Sequence, residues 1–123
     1  MSKSVKYSRN DEITDAYFEI LNKHLHDIVE GRVVKMLELS EIARAMYISP
    51  QHLSDTIKLT KGYAPCYFYD EKILIEAKKM LAETELPIAE IARILTYDPS
   101  NFSKFFKRKL KETPGQYRER IKK

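Results

Sequence analysis

Two stretches of this 123-residue chain concentrate hydrogen-bonding and basic side chains around a proline: SPQHLSDTIKL, from Ser49 to Leu59, and DPSNFSKFFKR, from Asp98 to Arg108. Amide, hydroxyl, carboxylate and ammonium groups spaced along a helix can donate to and accept from flat polar edges. The lysines and arginine beside them suit a polyanion. Residues arranged for catalysis do not appear. The sequence has no phosphate-binding glycine loop, no HExxH and no cysteine cluster. His24 and His26 stand two apart, so on a helix they diverge and cannot share a metal ion. An enzyme, a metal and a cofactor are not expected.

The net charge of +4 is unevenly placed. Residues 98–123 hold nine Lys/Arg against three Asp/Glu, and the rest of the chain is slightly acidic. A concentrated positive end points to a polyanionic partner, or to a solvated tail. No run of 18 apolar residues exists to span a membrane. The start, MSKSVKYSRND, lacks the apolar core of a secretory signal. The single cysteine, Cys66, excludes an internal disulfide framework and reads as a small structural residue in a cytoplasmic protein.

The elements that position these residues read as helices throughout. Residues 11–30 place Ile13, Tyr17, Leu21, Leu25 and Ile28 on one face, with Ser8 or Asn10 as the N-cap and Gly31 closing the helix. LSEIARAMYISPQHLSDTIK (39–58) aligns without a gap on IAEIARILTYDPSNFSKFFK (88–107), an offset of 49, and seven of the 20 positions are identical. The match extends to Pro65 and Pro114. In each copy a short helix (41–46; 90–95) meets a break. Ser49-Pro50 or Asp98-Pro99 then supplies an N-cap with proline at the first helical position. The second helix turns Leu53 and Ile57, or Phe102 and Phe106, inward. Each copy is thus a helix-turn-helix. Residues 65–83 carry Phe68, Leu74, Ala77 and Leu81 on one stripe and predict a connecting helix.

From Asp11 to Arg120 the chain resembles the AraC/XylS family of bacterial transcription regulators. LSEIARAMYISPQHLS, ILIEAKKMLAETELPIAEIA and YDPSNFSKFFKRKLKETPGQYR carry the resemblance. It implies an all-α fold of two homeodomain-like helix-turn-helix subdomains joined by a long connecting helix. The expected division is a flexible stretch (1–10), a first subdomain (11–64), the connecting helix (65–83) and a second subdomain (84–120). The implied partner is double-stranded DNA, read by a monomer at two successive major-groove segments, with RNA polymerase as a further partner and no membrane. The implied location is the cytoplasm, at the nucleoid. A protein-interaction module of the same fold, or a non-specific nucleic-acid binder, is the alternative function.

A recognition helix presents its N-terminal outward residues to base edges. Those positions are Gln51, His52, Ser54 and Asp55 in the first head and Ser100, Asn101, Ser103 and Lys104 in the second. Gln51 suits adenine, Asp55 cytosine N4 or else a neighbouring lysine, and Lys104 guanine. His52 and Asn101 read equally as packing or phosphate-binding residues. Lys58, Lys61, Lys107, Arg108 and Lys109 are candidates for the phosphate backbone. Arg44 and Arg93 share a repeat position and read as salt-bridge residues. Phe105 and Phe106 read as core, and Tyr67, Phe68 and Tyr69 as anchors of the connecting helix. The sequence departs from the family pattern where glycine is common: Tyr47 and Thr96 fill the two turns, and Lys111 precedes the final Thr-Pro. Ile73 replaces a common arginine in the connecting helix.

Overall fold

The computed structural model describes residues 7–122. Among them are seven helices and no strand: α1 (Arg9–Val29), α2 (Leu39–Ala45), α3 (Pro50–Lys61), α4 (Pro65–Glu83), α5 (Ile88–Ile94), α6 (Pro99–Leu110) and α7 (Pro114–Ile121). Of the stretch expected to be flexible, residues 1–6 lie outside the described residues. Arg9 and Asn10 already belong to α1. Ser8 caps that helix: its Oγ accepts from the Asp11 N–H at 3.2 Å, and the Asp11 carboxylate accepts from the Ser8 N–H at 3.0 Å.

The chain forms two compact units. One gathers residues up to His24 with Leu37–Tyr69; the other gathers Leu25–Met36 with Asp70–Lys123. This differs from the expected division into 11–64, 65–83 and 84–120 in two places: Leu25–Met36 group with the second unit, and the first turn of α4 groups with the first. There the half-buried Phe68 ring sits edge-on to Phe18 at 5.2 Å and to Tyr67 at 5.1 Å.

In the first unit the core comprises Ile13, Tyr17, Leu21, Ile42, Ala43, Leu53 and Ile57. Burial pushes the Tyr17 phenol up to about 12. Thr14 Oγ1 and Thr60 Oγ1 lie 2.6 Å apart and tie α1 to α3. His24 is buried, and its Nε2 accepts from the Leu37 N–H at 2.9 Å, which fixes the chain entering α2. Cys66, expected as a small structural residue, is exposed in the first turn of α4.

In the second unit the core is larger and aromatic: Ile73, Leu74, Ala77, Met80 and Leu81 from α4, Ile91, Ala92 and Leu95 from the α5 region, and Phe102, Phe105 and Phe106 from α6. Ile73 is fully buried, so the residue that departs from the family's arginine serves as core. Arg118 of α7 closes this unit. Its guanidinium donates to the carbonyls of Leu81 (3.1 Å), Leu86 (2.7 Å) and Thr84 (3.2 Å). A helix leaves its last carbonyls without partners, and here one side chain supplies partners at the end of α4.

Candidate nucleic-acid interface

Both turns are built by the same hydrogen bonds. After α2, the Tyr47 N–H donates to the Arg44 carbonyl and the Ile48 N–H to the Ala43 carbonyl, at 3.0 and 3.1 Å. After α5, Thr96 donates to Arg93 and Tyr97 to Ala92, at 2.9 and 2.8 Å. This pairing is a Schellman motif, and it places its turning residue in the left-handed region. Accordingly Tyr47 has φ 61° and Thr96 φ 69°. Both residues oppose that conformation, Thr96 more because it is β-branched. The turn nevertheless persists where glycine is missing.

Each turn delivers the chain to a capped helix start. Ser49 Oγ accepts from the His52 N–H at 3.0 Å. The Asp98 carboxylate accepts from the Ser100 N–H and hydroxyl, both at 3.1 Å, and from the Asn101 N–H at 3.3 Å. These bonds, led by that from Asn101, hold the Asp98 carboxyl below its ordinary value. Proline follows both caps. The backs of the two helices are buried, at Leu53, Thr56 and Ile57 and at Phe102, Phe105 and Phe106. Phe105 also stacks on Tyr97 at 5.3 Å.

On the front of α3, Gln51, His52 and Asp55 are exposed and Ser54 is half-buried; on α6, Ser100, Asn101 and Lys104 are exposed and Ser103 is half-buried. The structure joins two of them: Gln51 Nε2 donates to Asp55 Oδ1 at 2.9 Å. Asp55 therefore faces Gln51 rather than a lysine. The four-residue spacing was the available signal for this pair.

The basic side chains divide into engaged and available groups. Lys109 lies 3.5 Å from Asp70, so this exposed phosphate candidate is already engaged in an ion pair within the chain. Lys61 lies over the Phe18 ring at 5.8 Å and Arg108 over Phe105 at 5.7 Å, both exposed at their heads. Arg120 pairs with Glu112 and Lys122 with Glu85, which lowers both carboxyls. Much of the C-terminal positive charge is thus structural rather than a free tail. Lys58, Lys104 and Lys107 are exposed and, among the described residues, make no ion pair. Arg93 pairs with Glu90 at 3.4 Å on the surface. Arg44, expected to do the same, makes no ion pair among the described residues, because Glu41 accepts instead from the Glu38 N–H at 2.8 Å.

A family model described as a helix-turn-helix domain matches residues 42–120. The chain belongs to that family, in its AraC/XylS type. An uncharacterised HTH-type transcriptional regulator of Bacillus subtilis, YtdP, is 32% identical over 106 residues; the match takes in 85% of this chain and 14% of that relative. The C-terminal domain of AraT, a response regulator from Geobacillus stearothermophilus, is 31% identical with a TM-score of 0.79, covering 92% of this chain and 88% of that one. The DNA-binding domain of AdpA, a global transcriptional factor solved in complex with a target DNA, shares the fold at 18% identity and a TM-score of 0.74, covering 87% and 93%. The chain spans 14 to 36% of the length of the first curated relatives it matches. The AraC/XylS pattern accounts for both helix-turn-helix pairs and for the all-helical fold.

Proposed function

We propose that this AraC/XylS-type domain is a sequence-specific reader of double-stranded DNA that, as a monomer, inserts α3 and α6 into successive major-groove segments about one helical turn apart. The observation that carries the reading is the repeated construction: two helices begun by the same turn and cap, buried behind and polar in front. The AdpA domain, which shares the fold, was solved with a target DNA and supports the class of ligand. Gln51, His52, Ser54 and Asp55, with Ser100, Asn101, Ser103 and Lys104, are the base-edge candidates. Lys58, Lys61, Lys107 and Arg108 are the phosphate candidates, and Lys109 joins them only by leaving Asp70. Docked on a promoter in the bacterial cytoplasm, the protein activates or blocks transcription by contact with RNA polymerase.

Selection of bound duplexes from a random library at moderate salt tests this. Two motifs about one turn apart are expected. If nothing is enriched, the reading is overturned and an interaction module of the same fold takes its place.

A further inference from the structure

Two equivalent positions of the repeat carry different hydrogen-bonding groups, and at the second of them the groups are opposite. In α3 they are Gln51 and Asp55; 49 residues on, in α6, they are Ser100 and Lys104. A carboxylate only accepts, so the 2.9 Å bond turns the nitrogen of the Gln51 carboxamide toward Asp55. One N–H is used there. Oε1 and the second N–H remain, beside Asp55 Oδ2. The exposed start of α3 therefore presents acceptors around a single N–H. In α6 the ammonium at the position of Asp55 only donates, and the Ser100 hydroxyl uses its one O–H in a hydrogen bond to the Asp98 carboxylate.

In the major groove every base pair shows an amino donor on one strand and a keto acceptor on the other. We infer that the two heads select opposite orientations of the base pair: α3 follows a strand carrying adenine under Gln51 and cytosine under Asp55, and α6 follows a strand carrying guanine under Lys104. The inference rests on the reading of α3 and α6 as base-contacting helices. Adenine N6 donates to Gln51 Oε1 while the remaining Gln51 N–H donates to N7. Cytosine N4 donates to Asp55 Oδ2. A guanine in its place sets O6 against the carboxylate, acceptor against acceptor. Under Lys104, guanine O6 and N7 both accept, whereas an amino group meets donor with donor. The carboxylate also repels phosphate, so at the start of α3 attraction comes from matched bases rather than from the backbone. The two half-motifs are not interchangeable, and the binding site has a direction.

Library selection with the full chain tests this, using wild type, Asp55→Lys, Asp55→Asn and Lys104→Asp. Asp55→Lys is expected to replace cytosine by guanine at one step of one half-motif, moving that preference roughly tenfold, and to leave the other half-motif alone. Lys104→Asp is expected to do the converse. Asp55→Asn, nearly isosteric, still accepts from Gln51 but adds a donor, so it weakens the cytosine preference without reversing it. Two wild-type motifs that none of these exchanges alters overturn this inference alone. A wild type that enriches no motif overturns the base-reading assignment and this inference with it.

Discussion

Tyr47, Thr96 and Lys111 hold φ between 61° and 69°, a conformation that costs an ordinary residue roughly 1–2 kcal/mol. Glycine removes that cost and returns part of it as unfolded-chain entropy. Thr96→Gly is therefore expected to stabilise the fold by about 1 kcal/mol, raising Tm by roughly 4 °C, with Tyr47→Gly gaining less. A thermal melt that falls for Thr96→Gly would refute the strain argument. Gly62 occupies the repeat position of Lys111 at φ 85°, and no atom lies within 4 Å of where its Cβ would stand. Gly62→Ala should accordingly cost about 1 kcal/mol through the backbone alone. Asp98 gives a pH dependence. Its depressed folded value means that its contribution is complete above the ordinary value of 3.8 and is lost as pH falls through the folded value. Asp98→Asn keeps a capping acceptor, so its Tm should fall less than that of wild type between pH 7 and pH 3. The residues of the candidate interface were legible in the sequence, since helix period and caps alone put Gln51 and Lys104 outward. The bond between Gln51 and Asp55 was not, because spacing permits that contact without choosing it over a lysine.

At the scale of elements, the helices begin where the caps announced them, because Ser49-Pro50 and Asp98-Pro99 satisfy the first free N–H groups and preset φ. Ser49→Ala should cost about 1 kcal/mol, read by urea denaturation. What closes α4 was hidden. Arg118 reaches three backbone carbonyls between 32 and 37 residues earlier, and carbonyls leave no trace in residue types. Arg118→Ala is expected to destabilise by about 2 kcal/mol, with Arg118→Lys recovering only part, since an ammonium lacks the planar fork. Equal midpoints for wild type and Arg118→Ala would reduce that clamp to a surface contact. The shift of the unit boundary into α4 was equally hidden. A continuous apolar stripe shows that a helix is buried, not which neighbours cover each turn.

For the whole molecule, composition gave an excess of positive charge without saying how much of it is bound internally. The distinction has a measurable form. The salt dependence of DNA affinity follows the number of phosphates neutralised, so Lys107→Ala should reduce the slope of log K against log salt by about one. Lys109→Ala should change it less, because that ammonium is already paired with Asp70 at 3.5 Å. An equal reduction for Lys109→Ala would return Lys109 to the phosphate contacts. The division between Tyr69 and Asp70 has another consequence. A helix is usually taken as the smallest thing that opens and closes, yet the residues of α4 are divided between two compact units, and each compact unit tends to open as one. In native-state hydrogen exchange the amides at 67–69 should lose protection in step with those of α3. The amides from Ile73 onward should follow those of α6. The rhythm of breathing would then change partway along one continuous helix.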